Sequence, residues 1–225
     1  MQEGRPGSVS GLWRNCATVL LDMDGTLLDL AFDNWFWREA VPRCLARARG
    51  APAQDVRDLL FQHYASKQGS LEWYCLDYWS DELGLDLRAL KDASSHRIRY
   101  LPGAREFLQH ACASGKRLVL VTNAHGDTLH VKKGVSGLGA FFEQCISSHE
   151  LGAPKESPEF WPRLRTRLGF ERDETLFVDD SPAVLAAAAD FGLGAVVAVT
   201  RPDTRQPPRA AGRHYAVESV GELIR

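Results

Sequence analysis

The chain has 225 residues, 44% of them apolar and 25% charged, with 19 glycines and 11 prolines, a balance that excludes the disordered and fibrous classes and fits one or two globular domains. A chain of this length buries roughly 70 to 75% of its unfolded surface, enough for a full core without disulfide or zinc staples. Its 27 basic and 29 acidic residues leave a formal charge of −2, which sustains no positive field for nucleic acid or anionic lipid.

No run reaches the ~18 apolar residues a bilayer requires, and the opening MQEGRPGSVSGLWRNCA has no apolar signal region. These features predict a cytoplasmic protein with neither a nucleic-acid nor a membrane partner. Cys16, Cys44, Cys75, Cys112 and Cys145 are odd in number and form no C-x-x-C pair, which predicts reduced, mostly packed thiols. No feature points to a particular oligomeric state.

Along the chain, ATVLLDMD at 17 to 24 is a short apolar run that ends abruptly in carboxylates and glycine, as a buried parallel strand ends at a site. The same shape recurs at 117 to 123, more weakly at 145 to 148, and again at 175 to 181 and 195 to 200. Helical stretches lie between them at 103 to 114, 126 to 136, 158 to 168 and 182 to 191, and Pro102, Pro158 and Pro182 stand where a helix can begin. This alternation predicts an α/β protein, a doubly wound parallel sheet covered on both faces. Residues 31 to 98 break the alternation with helical patterning at 33 to 49, 53 to 66, 71 to 84 and 86 to 97, Pro42 kinking or dividing the first. The expected organisation is therefore a core of 12 to 30 and 99 to 225 with a small helical domain inserted over 31 to 98. Ten of the 21 aromatics fall between Phe32 and Trp79, which makes that insert aromatic-rich. Most of these rings are expected to form its core, with one or more of Trp35, Trp73, Tyr74 and Trp79 free to stack on a flat ligand.

Every cluster of chemistry-bearing residues stands where a predicted strand finishes: Asp22 and Asp24 ahead of Gly25-Thr26, Thr122-Asn123, Lys155 after a loop, and Asp179-Asp180-Ser181. In open α/β sheets that edge binds ligands. Carboxylates converging there repel one another unless a divalent cation holds them, and hard oxygen ligands select Mg²⁺. Thr122, the backbone amides around Asn123, and Lys155 supply hydroxyl, N–H and ammonium donors for phosphate oxygens. The inventory suits phosphoryl transfer.

LLDMDGTLLDL, LVTNA, GAPKE and LFVDDS, in that order, resemble the four motifs of the haloacid dehalogenase superfamily of phosphohydrolases, and the insert resembles that superfamily's helical cap. LLDMDGTLLDLAFDNWFW together with LEWYCLDYWSDELGLDL is similar, more narrowly, to the bacterial GMP/IMP nucleotidases. The resemblance implies that Asp22 is the nucleophile and a Mg²⁺ ligand. Asp24 is then the acid/base, with its backbone carbonyl on the metal. It further implies that Thr122 and Asn123 bind the phosphoryl group with Lys155, and that Asp180 and Asp179 complete the metal site, one directly and one through water. Retention of both Asp22 and Asp24 favours a phosphatase over a dehalogenase. The implied substrate is a small phosphorylated metabolite of the purine nucleoside monophosphate class, and the cap is expected to set specificity. A sugar-phosphate or phosphoglycolate phosphatase is the alternative within enzymes. A phospho-receiver domain is disfavoured because its acidic pair lies on the first strand, and a silent interaction protein because every catalytic position is filled.

Other patterns carry less. GVSGLG at 134 to 139 has its glycines in the reverse of dinucleotide-loop spacing. Arg201, Arg205, Arg209 and Arg213 recur at four-residue intervals, but Pro202, Pro207 and Pro208 interrupt any helix, which predicts a solvated loop. His125 and His130 are five apart rather than four, so that pair predicts no zinc site.

Overall fold

The computed structural model describes residues 9–210 and 212–224. The chain begins with α1 (Val9–Asn15) and β1 (Thr18–Leu21), then runs through the helical insert: α2 (Ala31–Trp35), a π-helical turn (Phe36–Ala40), α3 (Val41–Arg49), α4 (Ala53–Lys67), α5 (Leu71–Tyr74), α6 (Leu76–Leu83) and α7 (Leu87–Ser94). It returns through α8 (Ala104–Ala113), β2 (Arg117–Thr122), α9 (Gly126–Ser136), β3 (Gln144–Ser147), α10 (Phe160–Leu168), β4 (Thr175–Asp179), α11 (Pro182–Phe191), β5 (Ala195–Val199) and β6 (Tyr215–Val217). None of the described helices is long and apolar enough to cross a membrane.

The described strands form one sheet, ordered β3-β2-β1-β4-β5-β6 and parallel throughout. This is the doubly wound α/β fold that the alternating pattern predicts. Side chains alternate across a strand, so β1 sends Val19 and Leu21 to the face shared with Phe107 and Leu108 of α8, and Leu20 to the face shared with Trp161 of α10 and Leu185 of α11. With both faces covered, the strands read as unbroken apolar runs. β1 lies between β2 and β4, with Leu21 opposite Leu120 and Val178, so the residues following these three strands emerge side by side. The chain winds from β1 toward β3 on one side and from β4 toward β6 on the other, which places the topological switch point at β1 and β4.

Two expectations need correction. β6 was not anticipated: it is three residues long, follows the proline-rich loop and pairs only with β5, too short for a periodic signal. The helix expected over 71 to 84 is broken at Cys75, whose backbone is extended (φ −84°, ψ 113°) and whose sulfur accepts the Tyr78 N–H at the start of α6. The stretch expected at 33 to 49 is divided as α2, the π-helical turn and α3, with Pro42 in the first turn of α3. Proline has no N–H for an ordinary helical bond, and the preceding turn widens so that the Val41 N–H donates to the Phe36 carbonyl five residues back.

The insert has its own apolar cluster, with Phe36, Leu45, Leu60, Leu76, Trp79 and Leu87 at its centre. Trp79 packs edge-on against Tyr64 at 4.9 Å and its indole N–H donates to the Trp73 carbonyl. It is only 1% exposed, so it is a core residue and is withdrawn from the rings expected to meet a ligand. Replacing the fully buried Phe36 by Ala is expected to cost about 3–5 kcal/mol, measured as a lower urea midpoint of unfolding; a change below about 1 kcal/mol would show that the insert's cluster is loosely packed.

Candidate active site

The site is built where β1, β2 and β4 end. The Asp22 N–H donates to Val178 O at 3.0 Å, which carries the strand pairing one residue past β1. The chain then turns through Gly25, at φ +90°. A Cβ at Gly25 would stand 2.6 Å from the Asp180 carboxyl carbon, so both the conformation and the close approach of the two motifs require glycine.

Lys155 organises the centre. Its ammonium donates to Asp22 Oδ1 at 2.5 Å, to Asp179 Oδ2 at 2.7 Å and to Val121 O at 3.1 Å. Lys155 lies in a loop, yet that loop is fixed on both sides. Its N–H donates to Asn123 Oδ1 at 2.9 Å, and the Trp161 indole N–H donates to its carbonyl at 2.9 Å. The Asn123 amide then donates to Glu156 Oε2, and the Tyr74 hydroxyl, from the insert, donates to Glu156 Oε1, each at 2.8 Å. The Asn123 side chain is thus spent on holding the lysine loop, which leaves its backbone for any ligand. Thr122 ends β2 nearby and its hydroxyl accepts the Ala124 N–H at 3.0 Å.

Asp179 Oδ1 accepts the Ser181 N–H, and Asp180 Oδ2 accepts from the Arg209 guanidinium at 2.9 Å. Asp22, Asp179 and Asp180 each offer a carboxylate oxygen within 4.8 Å of the others. Three carboxylates therefore face the two cations Lys155 and Arg209, and Arg209 is half exposed. Burial and the neighbouring Asp179 push Asp180 up to about 7, against Arg209 and Lys155. Burial also raises Asp22 well above the carboxylate range, in spite of Lys155 and helped by Asp179 and Asp180. An oxygen cluster with this surplus of negative charge fits a hard divalent cation.

Asp24 stands apart from that cluster. Its side chain is turned to Lys132, whose ammonium lies 2.6 Å from Asp24 Oδ1 and 2.6 Å from Asp33 Oδ2. The Lys91 ammonium sits 3.4 Å from the other Asp33 oxygen and 4.6 Å from the Phe36 ring centre. The expectation that the Asp24 side chain meets Asp22 and Asp180 around one cation is corrected: Asp179 takes that place, and Asp24 faces a buried lysine instead. Burial raises Asp24 above its ordinary value, with Lys132 opposing and Asp33 assisting.

Sequence reasoning missed Lys132, Lys91, Asp33, Glu156 and Arg209. The two lysines did carry a signal. Lys132 shares a helical stripe with buried Thr128 and Leu129, and Lys91 with buried Leu87, so each is a charge on an apolar face that needs a partner. Arg209 was expected in a solvated loop; it reaches Asp180, whereas Arg213 pairs at the surface with Asp190.

Residues 16–192 match the model of the haloacid dehalogenase-like hydrolases. The chain belongs to this family. Within it, the chain is 42% identical over 212 residues to the GMP/IMP nucleotidase YrfG of Escherichia coli K12, covering 94% of this chain and 96% of that protein. It is 27% identical over 202 residues to protein CbbY of Rhodobacter capsulatus. Among solved structures, a HAD phosphatase from Thermococcus onnurineus superposes with a TM-score of 0.78 at 23% identity, covering 92% of this chain and 95% of that one. The L-2-haloacid dehalogenase of Xanthobacter autotrophicus gives 0.63 at 21% identity, over 93% and 97% of the two chains. The family's sheet and insert are thus shared by phosphatases and dehalogenases, and the chain is a hydrolase built on that fold.

The carboxylate cluster predicts a pH-dependent response to Mg²⁺. Groups whose folded pKa is raised bind more protons folded than unfolded, so their contribution to stability falls as pH climbs from the ordinary carboxylate range toward about 7. A cation that binds the ionised form restores about 2.7 kcal/mol at a hundredfold excess over its Kd, or roughly 5–10 °C in Tm. Thermal scans with Mg²⁺ or EDTA should show this shift at pH 7.5 and little of it at pH 5; equal shifts at both values would argue against the cluster.

Proposed function

We propose that this hydrolase is a Mg²⁺-dependent phosphomonoesterase acting on purine nucleoside 5′-monophosphates of the GMP/IMP class, with Asp22 as nucleophile. The observation that carries the reading is the buried bridge from Lys155 to Asp22 and Asp179 beside Asp180, on a chain 42% identical to a GMP/IMP nucleotidase along nearly its whole length. Residues 12 to 30 and 99 to 225 would serve as the catalytic core and 31 to 98 as a cap. Asp22, Asp179 and Asp180 would hold Mg²⁺, with the Asp24 carbonyl as a further oxygen, and the bound ion supplies charge that offsets the repulsion between a carboxylate and a phosphate dianion.

The chain's own residues account for the remaining steps. Lys155 keeps Asp22 oriented and neutralises charge on the entering phosphoryl group. The Thr122 hydroxyl and the backbone at Asn123 bind its oxygens. An Asp22 oxygen attacks phosphorus, the P–O bond to the nucleoside breaks, and the leaving alkoxide takes a proton from the Asp24 carboxyl. Asp24 then takes a proton from water, whose oxygen attacks the aspartyl phosphate and releases inorganic phosphate with Asp22 restored. Tyr74, Arg88 and Asp33 link the insert to the core, and closure of that insert would exclude water from the site.

Phosphate release from a panel of nucleotides and sugar phosphates, with Mg²⁺ or EDTA, tests the proposal. GMP and IMP should be the best substrates, EDTA should abolish turnover, and a folded Asp22→Asn chain should lose about 10³-fold or more. Release from sugar phosphates alone would overturn the nucleotide assignment, and near-normal turnover by folded Asp22→Asn would overturn the nucleophile.

A further inference from the structure

Three side chains from three separate elements converge away from the carboxylate cluster's own residues. Cys75 comes from the break between α5 and α6, where the Tyr78 N–H donates to its sulfur at 3.4 Å and fixes it. His125 precedes α9, and His149 lies in the short 3₁₀ turn after β3. The Cys75 sulfur and one nitrogen of each imidazole lie within 4.8 Å of one another. The two rings meet edge to face, with centroids 5.1 Å apart.

His149 Nε2 is buried from solvent and lacks a hydrogen-bond partner, and buried His125 Nδ1 has only the Asp127 carboxylate, 3.4 Å away and outside hydrogen-bond geometry. Buried polar atoms in native proteins are nearly always paired, so these nitrogens beside a thiol call for a ligand. The outer surroundings of the rings fit metal-ligating histidines, which ordinarily engage a carboxylate or a backbone carbonyl through the second nitrogen. The Asp77 carboxylate lies 3.8 Å from His125 Nε2. Burial and the neighbouring His125 hold His149 below its ordinary pKa, which favours the neutral imidazole that binds metal. The sequence spacing of His125 and His130 argued against zinc, but the fold pairs His125 with residues 50 positions before it and 24 after it.

We propose that Cys75, His125 and His149 form a second metal site, for a borderline divalent transition ion of the zinc type, which ties the helical insert to the sheet. One thiolate and two imidazoles are the ligand set of a zinc-type ion, with a fourth position left for water, whereas hard Mg²⁺ takes the all-oxygen cluster at Asp22. The thiol proton leaves to solvent as the metal–sulfur bond forms, and the ion keeps its oxidation state. Cys75 is next to Tyr74, which bonds Glu156 beside Lys155, and His125 is three residues past Thr122. An ion here therefore fastens the insert to the two loops that position the catalytic groups. Its expected consequence is slower opening and lower turnover.

The test uses the full chain, reduced and stripped of metal, with excess Mg²⁺ to occupy the carboxylate cluster, and titrates Co²⁺. One equivalent should give a sulfur-to-cobalt charge-transfer band with the strong visible bands of four-coordinate cobalt, both removed by one equivalent of Zn²⁺. Cys75→Ser should lose the charge-transfer band, His149→Asn should weaken binding by about tenfold or more, and Asp22→Asn should keep the full spectrum. Circular dichroism verifies the fold of each variant. Absence of stoichiometric uptake by the unsubstituted chain, or a sulfur band that persists in folded Cys75→Ser, overturns the site. Should Cys75→Ser unfold, unchanged affinity in folded His149→Asn overturns it equally.

Discussion

The ammonium of Lys155, almost fully buried, is the interaction on which the site depends. It lies within 2.7 Å of both Asp22 and Asp179 and spends its third proton on the Val121 carbonyl. Burial lowers its pKa, yet the two carboxylates, Asp179 and Asp22, hold it above the ordinary lysine value. The reverse holds for the acids. One lysine and a half-exposed arginine leave three carboxylates short of positive charge, and the raised Asp22 and Asp180 are the consequence. Removing Lys155 would leave buried charges uncompensated, which is far costlier than losing an exposed ion pair.

The sheet makes this concentration of charge possible. Parallel strands in register release Asp22, Asp179 and Thr122 along one edge, and the switch point at β1 and β4 opens a crevice there. The apolar interior ends within one residue of the first carboxylate: Leu21 is fully buried and Asp22 is 5% exposed. The abruptness of that change made the strand ends readable. Three apolar residues followed by Asp is a pattern in one strand, whereas the lysine that completes the site sits in a loop placed by Asn123 and Trp161, contacts between residues distant in sequence.

The same distinction separates what was legible from what was not. The parallel sheet and its longer strands follow from local periodicity, and the longer elements lie within a residue or two of expectation. β6 escaped because three residues establish no period. The break at Cys75 escaped because LEWYCLDYWSDEL keeps a helical pattern across it; there the backbone obeys tertiary packing, with Trp79 drawn into the insert's core. Arg209 escaped because its partner, Asp180, is 29 residues away and across a proline-rich loop. Charges inside apolar stripes, Lys91 and Lys132, were visible in the sequence but not interpretable without the carboxylates that receive them.

Those two lysines show how the molecule treats buried charge in two ways. Asp24, Asp33, Lys91 and Lys132 form a balanced set of two acids and two bases, with Asp33 and Lys91 from the insert and Asp24 and Lys132 from the core. A neutral buried cluster needs no further ion, and such clusters specify geometry more than they add stability. Asp33 is held below its ordinary pKa by its two lysines in spite of burial, and its bond to Lys132 joins the insert to the core. The cluster around Asp22 is unbalanced by comparison, and its surplus negative charge lies at the sheet edge where Arg209 is open to solvent. One charge cluster joins Asp33 to Asp24 through Lys132, and the other keeps a surplus of carboxylate oxygens that fits a divalent cation.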